Sequence, residues 1–107
     1  MEKISLNKNE ALNLIMDETS IIIDVRTEEE IEDVPTISED CVILPFNEDF
    51  LKIIEEEEIS KETKILVYSM NGVTSMRAVE LLRANGYSAF NLEGGIAAIF
   101  EDNCWGI

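Results

Sequence analysis

Short runs of apolar residues recur along the chain, and polar segments separate them. Four of these runs predict strands, at 21–25, 41–44, 64–68 and 88–92. The unbroken β-branched run at 21–25 is typical of a strand that is buried on both faces of a parallel sheet. Pro45 ends the second run, because proline has no backbone N–H to donate to a ladder.

Apolar residues at helical spacing occupy the segments between these runs. The spacing predicts helices over 7–18, 49–57 and 75–85, with short helical turns at 26–30 and 96–100. Asn7 and Glu10 have the spacing of a capping box, and Asn85-Gly86 is typical of a helix stop. The predicted inward-facing residues are Phe50, Leu51, Ile53 and Ile54 in the second helix and Met76, Val79, Leu81 and Leu82 in the third.

This alternation of strands and helices predicts an α/β fold. We expect a central, mostly parallel sheet of about five strands with helices on both faces. No Pro/Gly/Ser-rich stretch divides the chain, so one domain over 1–107 is expected.

Charge then excludes several classes of partner. The 107 residues include 23 acidic and 8 basic ones, a formal net charge of −15. A surface this negative repels phosphate backbones and anionic lipid, so neither nucleic acid nor a membrane surface is expected as a partner. The acid is concentrated in residues 1–58, with a net charge of −14, whereas residues 59–107 have −1. The glutamate-rich runs 28–33 and 55–58 are interpreted as solvated faces, with docking to a basic protein surface or loose binding of divalent cations as the alternatives.

The chain contains no histidine, which removes the usual general base and the commonest zinc ligand. Its two cysteines, Cys41 and Cys104, are too few and too far apart for a disulfide scaffold or a cysteine-rich metal site. We therefore expect neither a cofactor nor a metal. The first residues lack the pattern of a signal peptide and no run is long enough to span a membrane, so the cytoplasm is the expected compartment.

The segment 69–74 is the candidate site, because it leads from a predicted strand directly into a predicted helix. Such a loop offers free backbone N–H groups and the positive end of a helix dipole. Gly72 supplies the positive backbone angle that lets successive amides curl around one small cavity. The loop has no Walker A lysine, so a small anion or an anionic atom of a protein side chain is expected rather than a nucleoside triphosphate.

Three stretches of the sequence resemble the single-domain rhodanese family of sulfurtransferases. The first is Ile-Ile-Ile-Asp-Val-Arg at 21–26, followed by acids; the second is Tyr-Ser-Met-Asn-Gly-Val-Thr-Ser at 68–75; the third runs from Ala-Asn-Gly-Tyr at 84–87 to Asn-Leu-Glu-Gly-Gly-Ile at 91–96. The resemblance implies transfer of sulfane sulfur: a loop cysteine attacks a donor such as thiosulfate, holds the sulfur as a persulfide and passes it to an acceptor.

In this chain Ser69 occupies the position of that catalytic cysteine. A hydroxyl cannot form a persulfide, and no histidine is available to activate it. The resemblance assigns anion or substrate binding to the rest of the loop, Met70, Asn71, Gly72, Val73 and Thr74, but the basic side chains of active members are missing here. The family's Gly-His-Ile-Pro-Gly-Ala stretch is also replaced, by 33–40.

Three readings of Ser69 remain open at this level. The favoured one is an inactive rhodanese-like domain that serves as a binding or regulatory module, with a protein partner or a small anion at the 69–74 loop. The second is a thiosulfate sulfurtransferase whose cysteine was replaced by serine in the laboratory. A serine hydrolase is the third, and it would need a base that the sequence lacks.

Four further residues receive structural interpretations. Cys41 is expected to be a small core residue, and Arg26 is expected to hold local carboxylates. Arg77 and Arg83 are interpreted as solvated charge on a helix. Cys104 is interpreted as an ordinary thiol, and the alternative is an exposed thiol that acts as a displaced nucleophile or pairs with another molecule. The oligomeric state is not predicted.

Overall fold

The computed structural model describes residues 3–99 of the chain and confirms the α/β fold. Its elements are β1 (Ser5–Leu6), α1 (Lys8–Met16), β2 (Ile21–Asp24), α2 (Glu28–Asp33), β3 (Val42–Ile43), α3 (Phe50–Glu56), β4 (Lys64–Tyr68), α4 (Val73–Ala84) and β5 (Ser88–Leu92). Residues 95–99 are also helical, and the predicted end of that turn at Phe100 lies outside the described residues.

The five strands form one parallel sheet in the order β1-β5-β4-β2-β3. The sequence pattern did not predict β1, because two residues are too few to show a periodicity. Its assignment depends on pairing with a strand far along the chain: Ser5 lies opposite Asn91, and Leu6 lies opposite Leu92.

Alternate side chains of the central strand enter two different cores, which places helices on both faces as predicted. Ile65 and Val67 pack in a cluster that includes Phe50 of α3 and Leu82 of α4. Leu66 and Tyr68 pack on the other face in a cluster that includes α1 and the 95–99 turn, here called the α1 cluster. The sheet is therefore covered by α3 and α4 on one side and by α1 and that turn on the other.

Capping decides where the first two helices begin. The predicted capping box of Asn7 and Glu10 is present at α1. The acidic turn predicted at 26–30 instead begins at Glu28, because Thr27 caps it through a second capping box with Glu30.

Two other segments differ from the sequence-based prediction. Helix α4 begins at Val73 rather than at residue 75, directly after Gly72, whose φ is +92°. Ile53 was expected to face inward but is exposed, because α3 and the two-residue edge strand β3 do not cover each other completely.

The strand order produces a switch point between β2 and β4. The chain leaves β2 toward β3, at one edge of the sheet, and leaves β4 toward β5, in the opposite direction. In open parallel sheets the crevice at the carboxyl ends of such neighbouring strands is the usual ligand site. The 69–74 loop follows β4 and therefore lies at this crevice.

Candidate functional site

A cleft of about 570 Å³ lies between the segments that follow β2 and β4. Five of the six predicted site residues line it: Ser69, Met70, Asn71, Val73 and Thr74. Gly72 is buried beneath them. The opposite wall, which the sequence did not indicate, comes from Val25, Arg26, Thr27, Glu30, Pro45 and Phe46.

Ser69 lies at the base of the cleft with only 4% of its surface exposed. Its Oγ accepts hydrogen bonds from the backbone N–H groups of Gly72 (3.1 Å) and Ser75 (3.3 Å). The same oxygen lies 2.9 Å from the Oγ of Ser75. The start of α4 thus curls around the side chain of Ser69.

The contact between Ser75 and Asn91 determines the direction in which the Ser69 hydroxyl donates its proton. Ser75 Oγ lies 2.5 Å from Asn91 Oδ1, an amide oxygen that can only accept, so Ser75 donates to Asn91. Because its single proton is used there, Ser75 accepts in its bond with Ser69. The Ser69 hydroxyl therefore donates away from the cleft, along a chain from Ser69 to Ser75 to Asn91.

The loop's own side chains satisfy several of the amides that were expected to hold an anion. Gly72 and Ser75 donate to Ser69 Oγ, and Val73 donates to Asn71 Oδ1 at 3.2 Å. Since a satisfied N–H gains little from a new acceptor, these groups attract an incoming anion weakly.

Close backbone packing against residues 94–97 holds the loop in place. Ile96 and Ala97 donate backbone hydrogen bonds to the carbonyl oxygens of Ser69 (2.9 Å) and Met70 (3.1 Å). A Cβ at Gly95 would lie 2.4 Å from the carbonyl oxygen of Met70, and the φ of Gly95 is +68°. The Gly-Gly-Ile run is thus required because the turn after β5 touches the backbone of the site.

We expect Gly95→Ala to destabilise the domain by about 2–4 kcal/mol, since it adds backbone strain to a steric clash. Gly86→Ala is the matched control, because Gly86 also has a positive φ (+90°) but its nearest neighbour would be 3.8 Å away. Urea unfolding of both variants measures the difference. Equal losses would show that the close approach of Gly95 to Met70 contributes nothing.

Arg26 forms a buried ion pair behind the cleft, as its structural interpretation expected. Both Asp24 oxygens accept from its Nε, and Nη2 lies 2.8 Å from Asp24 Oδ2. Nη1 also donates to the carbonyl oxygen of Val34 at 2.7 Å. Burial lowers the pKa of Arg26, but the bonds and charge of Asp24 outweigh this and raise it. The guanidinium is thus committed to the protein's own acceptors.

Tyr68 anchors the segment that replaces the family's Gly-His-Ile-Pro-Gly-Ala stretch. Its hydroxyl accepts from the backbone N–H of Ile37 (3.1 Å) and lies 3.8 Å from Cys41 Sγ. Burial raises the pKa of Tyr68 well above its ordinary value, so the phenol stays protonated at neutral pH. Cys41 is half-buried and packs against the α1 cluster.

The two arginines of α4, Arg77 and Arg83, were both predicted to be solvated but differ in burial. Arg77 is exposed, whereas Arg83 is half-buried: its Nε donates to the carbonyl oxygen of Ala89 at 2.6 Å and its guanidinium stacks on Phe90. The prediction of solvated charge was therefore wrong for Arg83. Met70 packs against the α1 cluster. Cys104 lies outside the described residues.

The family model of the rhodanese-like domain matches residues 7–102. Since this covers most of the chain, the protein belongs to the rhodanese-like domain family. No helix within residues 3–99 is long and apolar enough to cross a membrane. The comparison with curated proteins gives no match.

Solved structures of similar proteins agree with this assignment. A rhodanese-like domain protein from Staphylococcus aureus is 28% identical, with a TM-score of 0.68 and 90% of each chain covered. A rhodanese homologue from Thermus thermophilus is 27% identical, with a TM-score of 0.60 over 89% of this chain and 96% of that one. A rhodanese-related protein from Thermoplasma volcanium shares the fold at 23% identity, with a TM-score of 0.74 over 94% and 93%.

Sequence reasoning missed two residues that control Ser69. Ser75 stood in the motif that resembles the family, but only as its last letter, and Asn91 stood in a predicted strand. The one available signal was a polar residue inside an apolar strand, because a buried amide needs partners. Which partners it has could not be read from the sequence.

Proposed function

We propose that this chain is a rhodanese-like domain without sulfurtransferase activity in its serine form, and that it acts as a binding or regulatory module through the cleft beside Ser69. The observation that carries the proposal is the state of the Ser69 hydroxyl. Its oxygen accepts two loop amides and its proton is donated to Ser75, away from the cleft. No histidine exists in the chain to remove that proton.

The chemistry of sulfane transfer supports this reading. The family reaction requires a thiolate to attack the outer sulfur of a donor, with formation of an S–S bond and departure of the donor's remaining anion. A serine hydroxyl ionises far above neutral pH and has no sulfur with which to form the persulfide. The first step of the family reaction is therefore closed to Ser69.

The electrostatics of the cleft also disfavour an anionic substrate. Its arginine, Arg26, is bound to Asp24, and its loop positions Met70, Asn71 and Val73 are uncharged. Glu30 lines the opposite wall. A neutral group, or an apolar side chain of a protein partner that reaches past Val73 and Phe46, suits this lining better than thiosulfate.

The second candidate is a sulfurtransferase whose cysteine has been replaced by serine. One observation favours it: the amides of Gly72 and Ser75 still converge on the side-chain atom of residue 69. This is the arrangement that would stabilise a thiolate at a helix N-terminus. Reading the natural codon at position 69 distinguishes the two candidates.

The chain as it stands is expected to transfer no sulfur from thiosulfate to cyanide above the rate without protein. Thiocyanate formation measures this directly. Because the binding-module proposal depends on an inert Ser69, turnover that is proportional to protein concentration and persists after repurification would contradict it.

A further inference from the structure

The edge of the sheet farthest from β1 carries an exposed apolar groove of about 550 Å³. We name it the β3 groove. Val42 and Ile43 of β3 and Ile53 of α3 line it with 47%, 51% and 36% of their surfaces exposed, and Ile21, Leu44 and Ile59 extend it. None of its lining residues lines the cleft at Ser69. An apolar groove that is separate from the cleft is a candidate interaction site.

The backbone of β3 can accept a further strand. Within the described residues β3 pairs only with β2, where Ile43 lies opposite Asp24. Leu44 donates to the carbonyl oxygen of Asp24 at 2.9 Å, so residues 42 and 44 direct their ladder groups toward β2. The N–H and C=O of Ile43, between them, point outward to the open edge.

The charge around the groove selects its occupant. Residues 39–58, which contain β3 and α3, hold eight acidic residues and one basic residue. Glu57 lines the groove itself, and Glu39 and Asp40 are exposed immediately before β3. A second copy of this chain would place the same negative surface against itself, and like charges at an interface oppose association.

We propose that the β3 groove binds an extended segment of a partner protein in which apolar residues alternate with lysine or arginine. The segment adds a strand at Ile43 through main-chain hydrogen bonds, as in strand addition to a sheet edge. Because side chains alternate along a strand, its apolar residues enter the groove between β3 and α3. Its basic residues then point to the α1 face of the sheet edge, where Glu18 and Asp40 line a pocket with Ile15. The acidic first half of the chain thus serves recognition as well as solubility.

The test uses the full chain and a fluorescein-labelled peptide of alternating valine and lysine, with binding followed by fluorescence anisotropy. We expect the peptide to bind, and its affinity to fall several-fold between about 50 mM and about 300 mM NaCl, because the attraction is screened. The same peptide with glutamate in place of lysine is expected not to bind. Equal binding of both peptides, or of neither, would overturn the proposal.

Variants locate the peptide on the molecule. Ile53→Lys is expected to weaken binding about tenfold or more, because it puts a positive charge in the groove opposite a basic peptide. Ile43→Pro removes only the outward N–H, which β2 does not use, and is expected to weaken binding as well. Met16→Lys is the matched control, since Met16 is exposed (78%) but lies outside the groove. Circular dichroism checks that each variant is folded.

Two outcomes would contradict the proposal, because the peptide would bind elsewhere or the groove would have another occupant. If Val73→Lys, at the cleft, abolishes binding while Ile53→Lys does not, the peptide binds at the cleft and the proposal fails. If sedimentation shows a dimer that Ile53→Lys dissociates, a second copy covers the groove and the proposal also fails. Neither outcome bears on whether Ser69 is inert, so this test and that of the proposed function fail independently.

Discussion

The Ser69→Cys variant is expected to carry a thiol whose pKa is lowered from the ~8.5 of a free cysteine. The amides of Gly72 and Ser75 already point at the side-chain atom of residue 69, and α4 begins at this loop. These donors favour the thiolate over the thiol. The pKa is measured from the pH dependence of the rate of alkylation by iodoacetamide. The rate for the unaltered chain, which contains Cys41 and Cys104, is subtracted from that of the variant.

Sulfur transfer by the same variant is expected to be slow with thiosulfate and to become faster as salt is added. The thiolate would take the outer sulfur and release sulfite, and cyanide would then remove that sulfur as thiocyanate. A chain of charge −15, with its one cleft arginine bound to Asp24, repels the dianion, and salt screens the repulsion. The readout is kcat/KM at low and high ionic strength.

Controls separate chemistry from charge in this experiment. Ser69→Ala places neither oxygen nor sulfur at the site and should match the unaltered chain, with no turnover. Adding Ser75→Ala to Ser69→Cys removes one neighbouring hydroxyl and keeps both amides, so the thiol should remain reactive. High turnover with thiosulfate at low salt would favour the replaced-cysteine reading over the binding-module reading. A thiol pKa near 8.5 would show that the amides do not stabilise a thiolate here.

The largest loss of stability is expected from Arg26→Ala, at about 3–5 kcal/mol of unfolding free energy. Asp24 and Arg26 have fully buried side chains, and the substitution leaves the Asp24 carboxylate buried without its cation. It also removes a donor from the carbonyl oxygen of Val34, so the segment that follows α2 loses one of its attachments and keeps the one to Tyr68. Urea unfolding at neutral pH measures the loss.

Two comparisons make this prediction specific to the buried pair. Lys3→Ala breaks the ion pair with Glu10, whose partners are 2.8 Å apart but largely exposed, and it should leave the unfolding midpoint nearly unchanged. Replacing both partners, as Asp24→Leu with Arg26→Met, should recover most of the stability, because no buried charge is left unpaired. If Lys3→Ala and Arg26→Ala lower the free energy of unfolding by the same amount, burial adds nothing to the contribution of the Asp24–Arg26 pair.

The outline of the fold could be predicted because its signals are local. The β-branched run that contains Ile23 and the aliphatic run that contains Leu66 identify buried strands, and the capping box of Asn7 marks a helix start before any tertiary contact is considered. Predictions that depended on packing were less secure. Ile53 has the spacing of an inward residue, yet it is exposed because β3 is too short to cover it. Arg83 has the spacing of a surface residue, yet it lies over Phe90.

By itself the sequence determined that Ser69 stands where a strand meets a helix, and that no histidine exists to activate it. Only the tertiary structure decided the direction of the Ser69 proton, because that depends on Asn91, whose strand pairs with β4 through a parallel crossover. Only the tertiary structure likewise decided that the backbone N–H and C=O of Ile43 face an open edge, because β3 is the last strand in the sheet order. Periodicity reports which face of an element is buried, whereas the contacts between distant residues depend on strand order, which no local pattern encodes.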